Sequence, residues 1–243
     1  MLVDIITPFP NVVKAFISES ILKKANQKNI VTYTIYNLFE YSDSVDGRID
    51  DYPFGGGKGM IIKPEPVFKV LEQIKLKSQE PSSIKVLFPT PDGEQLNYNM
   101  SCEMAEYKHI VFICGHYKGI DQRIRDYLVT NEISIGDYVL TGGELPSMII
   151  LDSIVRLIPG VLNNIESANL DSFSNPLLDG PHYTRPEVFD KYETPDILLS
   201  GHHKKIEDWF LNERIKKTKK RRPDLWEKYI SSNRREEWLW IKF

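Results

Sequence analysis

Short β-branched apolar runs alternate with longer amphipathic stretches over the first two thirds of this chain. "LVDIIT" (residues 2–7) reads as a strand, and a helical pattern runs from Val12 to Lys28. "VTYTIYNL" reads as a second strand and leads into a polar, glycine-rich loop. Pro64 to Lys77 predicts a helix with proline at its start, where a missing N–H does no harm. "IKVLF" and "HIVFIC" are short and apolar throughout, which predicts buried strands. Alternation of this kind predicts an α/β domain built on a mostly parallel sheet covered by helices. Glu144 to Ile158 is apolar nearly all round, so it belongs either at the centre of the domain or against another subunit.

The pattern changes at Pro159-Gly160. From there to Pro186 the chain is rich in Asn, Ser, Pro and Gly and has little periodicity, as expected of a long functional connection. Helical patterning resumes near His202 and is interrupted by Pro223. The expected organisation is therefore an α/β domain over residues 1–159, a linker over 160–186 and a small helical domain over 187–243, with no internal repeats.

Composition changes this picture in two places. With 243 residues, 41% of them hydrophobic, the chain can bury a sizeable core. The longest apolar run, "MIILDSIVRLI", is broken by Asp152 and Arg156 and is too short to span a bilayer, so no membrane association is expected. "MLVDIITPFP" lacks the basic start and long apolar run of a signal peptide. Cys102 and Cys114 form no CxxC pair and are expected as reduced thiols in a cytoplasmic protein. The formal net charge of −3 argues against a nucleic-acid partner, but its distribution argues for one. Gly201 to Arg235 carries twelve Lys or Arg against five Asp or Glu, a local balance of +7 that leaves −10 on the remainder. A basic C-terminal segment on an acidic body is the footprint of phosphate contacts made by one region only, with Lys216, Lys217, Lys219 and Lys220 as candidates.

No GxGxxG follows the first strand, so a dinucleotide-binding unit is not supported. "FGGGKGM" fails the spacing of a phosphate-binding P-loop, because Tyr52 stands at the first glycine position and Gly59 follows Lys58. A mobile glycine loop, able to fold over a ligand, is the better reading. Three turn-like segments follow strand-like runs: "FPTPDG", "CGHYKGID" and "IGDYVLTGGELP". They are either three ordinary turns or three loops gathered at the carboxyl ends of strands, where open α/β sheets bind ligands. Arg156 either pairs locally with Asp152 or offers a cation to a developing negative charge. Asp171, in "LDSF", is by itself an ordinary loop or cap residue.

Taken together, "DDYPFGGGKGM", "GHYKGID", "SIGDYVLTGGELP", "IPGVL", "DSF" and "LLDGPHYTRP" occur in an order and spacing that closely resemble the bacterial tRNA (guanine-N1)-methyltransferases of the SPOUT class, the TrmD family. The resemblance implies a homodimer. It implies a SPOUT-type α/β domain with a deep trefoil knot, plus the small C-terminal helical domain. It implies S-adenosylmethionine bound in a bent shape, and methylation of N1 of the guanine immediately 3′ of the anticodon (position 37) in tRNA. On the matching positions, Pro89, Gly115, Ile135, Gly136, Asp137, Tyr138, Val139, Leu140, Gly142, Gly143 and Pro146 are the implied cofactor contacts. Asp171 is the implied base for the N1 proton and Arg156 the cation that stabilises charge on O6. Asp50 and Ser167 are implied near the target nucleotide. Magnesium dependence is implied, although no ligand cluster locates an ion. Two positions depart from the family pattern: Lys118 stands where an acidic residue is usual near the methionine end of the cofactor, and Gln122 replaces a common Glu. Another SPOUT methyltransferase with a different target, or a non-catalytic RNA-binding module with a vestigial cofactor fold, are the competing expectations.

Overall fold

The computed structural model describes residues 1–162 and 171–240, with side chains to residue 232. The chain divides into two compact units, Met1–Asn163 and Asn164–Phe243. In chain order the first contains β1 (Leu2–Thr7), α1 (Pro10–Ile17), α2 (Ser20–Gln27), β2 (Thr32–Asn37), β3 (Asp50–Asp51), β4 (Ile61–Ile62), α3 (Pro64–Lys77), β5 (Lys85–Gln95), α4 (Tyr98–Ala105), β6 (His109–Ile113), α5 (Gln122–Leu128), β7 (Asn131–Ser134) and α6 (Glu144–Val155).

Five strands form one sheet in the order β2-β1-β6-β5-β7, and every neighbouring pair is parallel. The parallel α/β sheet expected from the alternation is therefore present. Side chains leave successive strand positions on opposite faces, and the two faces carry separate cores. Val3, Ile5, Leu87, Ile110 and Phe112 pack with α1, α2, α4 and α6 on one side. Ile6, Val86, Phe88, Val111 and Ile113 pack with α3 and α5 on the other. Burial on both faces is why these strands read as continuous apolar runs rather than as alternating ones.

Three local expectations are corrected. The helix expected from Val12 to Lys28 is two helices. Both the amide and the hydroxyl of Ser18 donate to the Lys14 carbonyl. Glu19 is extended, and Ser20 has a φ of 51°. Side-chain bonding of this kind competes with helix continuation. "FPTPDG" lies inside β5 rather than after it: Ile133 pairs with both Pro89 and Glu94, so Thr90–Gly93 are looped out of the ladder. The apolar helix ends at Val155 rather than Ile158. The last amides there bond three residues back, as the chain tightens before Pro159, which disfavours helix at the residue preceding it.

The second unit contains a short hairpin, β8 (Val188–Phe189) and β9 (Tyr192–Glu193), then α7 (Asp196–Leu199), α8 (His203–Arg221) and α9 (Pro223–Trp240). Residues 175–180 dock along α8. The Leu178 amide donates to Thr218 Oγ1 at 2.9 Å, Arg214 Nη2 donates to Asn175 Oδ1 at 3.0 Å, and Lys217 Nζ donates to the Asp179 carbonyl at 2.7 Å. Leu177 is buried within this unit.

Cys114 is fully buried at the end of β6, and burial, followed by the nearby Glu144 charge, drives its thiol well above the ordinary range. Only thiolate reacts with disulfide reagents. The native protein near neutral pH is therefore expected to release one equivalent quickly, from the half-exposed Cys102, and the second only on unfolding. Two fast equivalents from folded protein would contradict this packing.

Candidate active site

Strands β6, β5 and β7 are adjacent in the sheet, so the loop set within β5 and the loops that leave the carboxyl ends of β6 and β7 converge. Together they wall a single cavity of about 380 Å³, within the range of small-molecule sites. Phe88 to Asp92 supply one wall, Gly115 to Ile120 a second, and Ile133 to Gly136 with Tyr138 to Gly143 and Pro146 the third. The structure thus brings Pro89, Gly115, Ile135, Gly136, Tyr138, Val139, Leu140, Gly142, Gly143 and Pro146 to one lining. Asp137 is exposed and is not part of that lining.

The paired glycines Gly142 and Gly143 have separate physical reasons. A Cβ on Gly143 would lie 2.6 Å from the Gly115 amide nitrogen and 2.9 Å from Cys114 Cα. Both are backbone atoms of the β6 exit, and the two chains are bonded there, Gly143 N to Gly115 O at 2.7 Å. A Cβ on Gly142 would meet side chains instead, Glu144 Oε2 at 2.6 Å and His116 Cδ2 at 2.7 Å. Neither glycine has a positive φ, so close approach and not backbone conformation demands them. The next residue, Glu144, is buried and accepts from Thr7 Oγ1 at 2.7 Å. That bond ties the start of α6 to the end of β1. Gly93 closes the loop in β5 in the same way: a Cβ there would sit 2.5 Å from the Glu132 carbonyl carbon.

Three lining side chains carry formal charge. Arg125 donates through Nε and Nη2 to both oxygens of Glu132, at 2.7 and 2.6 Å, and through Nη2 to Asp92 Oδ2 at 2.7 Å. The Arg125 bond, with that from Thr90, holds the Asp92 carboxyl below its ordinary range. Lys118 is exposed, and its side chain has no ion pair among the described residues. Tyr117, beside it, has its phenol raised by burial and then by the charge of Asp50, which places Asp50 near this wall. Arg125 and Glu132 carried no signal in the sequence, because neither lies in a recognisable motif. Asp92 lay within a segment already singled out. Among the described residues no group of three or more His, Cys, Asp or Glu side chains is placed to hold a metal ion.

The remaining candidates are placed as follows. Arg156 caps α6 and is half-buried. Ser167 lies outside the described residues. Asp171 opens a tight turn in the second unit, its carbonyl accepting from the amide and hydroxyl of Ser174 at 3.3 and 2.8 Å. Ser172 Oγ in the same turn accepts from the Asp179 amide at 2.9 Å. Of the four candidate lysines, Lys216 pairs with Glu213 at 2.6 Å, Lys217 is held by the Asp179 carbonyl, and Lys219 lies 4.3 Å from the centre of the Trp226 ring. Lys220 is exposed.

Comparison with known proteins gives a consistent result. A family model described as tRNA (Guanine-1)-methyltransferase TrmD matches residues 1–228. A tRNA (guanine-N(1)-)-methyltransferase of Anoxybacillus flavithermus is 47% identical over 239 residues, covering 98% of this chain and 97% of the relative. One from Brevibacillus brevis is 50% identical over 228 residues, covering 94% and 92%. One from Bacillus cereus is 47% identical over 239 residues, covering 98% and 97%.

The glycine pair makes a graded test. Gly143→Ala drives a methyl group into immovable backbone and is expected to cost at least ~2 kcal/mol, at the upper end of overpacking effects. Gly142→Ala meets side-chain tips that can shift, and is expected to cost about 1 kcal/mol. Denaturant titration of both variants measures the difference. Equal stability losses would show that the crossing at Gly143 can relax.

Proposed function

This chain belongs to the tRNA (guanine-1)-methyltransferase family, and we propose that it transfers a methyl group from S-adenosylmethionine to N1 of the guanine immediately 3′ of the anticodon in tRNA. The observation that carries the reading is the convergence of three loops on one cavity whose wall is the Ile135–Pro146 segment. The cavity suits the donor. Its lining combines apolar surface from Phe88, Ile133, Ile135 and Leu140 with backbone amides and carbonyls at glycine-rich turns. Such a surface can take a nucleoside face and read its edge.

S-adenosylmethionine, when bound, supplies an activated methyl group on a sulfonium. The chain's own residues deal with the acceptor. Neutral guanine holds a proton on N1, which makes that nitrogen a poor nucleophile, so a base must remove the proton as the new bond forms. In this reading the Asp171 carboxylate takes it. Negative charge then moves toward O6, where the Arg156 guanidinium stabilises it. Lys216, Lys217, Lys219 and Lys220 of α8 contribute phosphate contacts. Asp50 and Ser167 are assigned to the target nucleotide. A role for magnesium belongs to the same reading, with no protein ligand assigned to it. A cytoplasmic location follows from an RNA substrate, and no described helix is long and apolar enough to cross a membrane.

A homodimer is part of the proposal. Leu145 and Ile149 on α6 are 55% and 46% exposed, and Val12 and Phe16 on the neighbouring α1 are 45% and 41% exposed. Four large apolar side chains on adjacent helices form a patch that a second copy would cover. Sedimentation at micromolar concentration is expected to show a dimer, and Ile149→Arg is expected to shift it toward monomer. A monomer at all concentrations would remove this part of the proposal.

The chemistry is tested with paired tRNA transcripts carrying G or A at the target position, followed by nucleoside analysis. Methylation of the G transcript alone, giving 1-methylguanosine, is expected. Asp171→Asn is expected to bind both substrates nearly normally and to slow single-turnover methyl transfer by at least ~100-fold, the lower range of general-base contributions. Partial recovery at raised pH is expected, because the N1 proton then leaves without the carboxylate. A variant within a few-fold of the parent near neutral pH would return Asp171 to a purely structural role.

A further inference from the structure

The charged groups of the cavity are divided between its walls. On the β5 side, Arg125 is shared by two carboxylates, Asp92 and Glu132. That cluster carries one negative charge in excess, and Asp92 itself lines the cavity. On the β6 side stands Lys118, whose ammonium has no counter-ion among the described residues. Its backbone is well anchored. The Lys118 amide donates to the Met60 carbonyl at 2.9 Å, the Ile62 amide to the Gly119 carbonyl at 3.0 Å, and the Asp121 amide to the Ile62 carbonyl at 2.9 Å. Its stem runs past Gly59, where a Cβ would meet Lys118 Cβ at 3.5 Å, Cγ at 3.9 Å and Cδ at 4.0 Å. The β6-exit loop is thus laced to the strand after the glycine loop, and the cavity lining holds a cation with no ion pair among the described residues as well as an anionic cluster.

A cavity with opposed charges on two walls complements a zwitterion. We propose that Lys118 anchors the α-carboxylate of the cofactor's amino-acid tail, with the ammonium of that tail directed to the Asp92 wall. This rests on the reading of the cavity as the S-adenosylmethionine site and assigns the end of the cofactor that the glycine-rich wall does not hold. Lys118 acts here as a specificity residue: it separates ligands that have an amino-acid tail from nucleosides that lack one. Its exposure keeps the contribution moderate, since solvent and salt screen exposed charge pairs.

The test compares S-adenosylhomocysteine with 5′-methylthioadenosine, which shares the nucleoside and thioether but has no amino-acid group. Binding of each is measured by calorimetry at low salt to the full chain and to Lys118→Gln and Lys118→Arg. Lys118→Gln is expected to weaken S-adenosylhomocysteine by roughly five- to twenty-fold, between the worth of an exposed ion pair and of a charged hydrogen bond. Methylthioadenosine should stay within about two-fold of the parent. Lys118→Arg keeps the charge and should stay within about three-fold for both ligands. Added salt should erode the parent's preference for the longer ligand. Unchanged binding of both ligands to Lys118→Gln would overturn the assignment. So would equal losses for both, which would mean that the lysine acts through loop structure. Failure of the parent chain to bind either nucleoside would instead overturn the cofactor reading itself.

Discussion

The site depends on one close passage of backbone against backbone. Gly143, entering α6, passes Cys114 and Gly115, leaving β6, with no room for a side chain between them. Because the passage is bonded, Gly143 N to Gly115 O, it holds the exit of β6 to the segment that follows β7. Glu144 then binds Thr7, so the end of β1 joins the same assembly. The cavity is what remains above these ends, bounded by the loop that β5 expels between Pro89 and Glu94. Its glycine-rich wall consequently offers backbone at Gly142 and Gly143 beside the side chains of Tyr138, Val139 and Leu140. A deep knot, if threaded as the family resemblance implies, would need close crossings of this kind, where bulky side chains could not pass.

Electrostatics divide the chain into two tasks. The first unit presents opposed charges at a small cavity, Asp92 with Arg125 and Glu132 on one side and Lys118 on another. Within the second, residues 201–235 carry the basic surplus that the overall charge of −3 conceals. Not all of that surplus faces solvent. Arg214 and Lys217 are spent holding residues 175–180 to α8. The solvent-facing positive charge of this segment is therefore smaller than a count along the sequence suggests.

The turn that carries Asp171 is organised by the same docking. Its neighbour Ser172 bonds the Asp179 amide, and the Asp179 carbonyl is held by Lys217. A basic residue that looks on paper like an RNA contact thus supports the loop that carries the proposed base.

Much of the sheet and its helices was legible in the sequence because both are local in origin. The apolar runs at residues 2–7, 84–88 and 109–114 declared strands buried on both faces, and the proline at residue 64 marked a helix start that the structure has. The motif order carried the family, since six short segments at matching spacing leave few alternatives. What periodicity missed were competitions settled by single residues: Ser18 turning back on Lys14 to split α1 from α2, and Gly93 returning β5 to the ladder after its loop. Tertiary structure alone decided the rest. Nothing local to Arg125 announces that it meets Asp92, and nothing local to Gly143 announces that Cys114 and Gly115 lie against it. Those meetings join residues 28 or more positions apart, through the order in which parallel strands are laid side by side. A sequence states its local preferences residue by residue; which backbone must pass which, and so where side chains are forbidden and charges face each other, is settled only when the sheet closes.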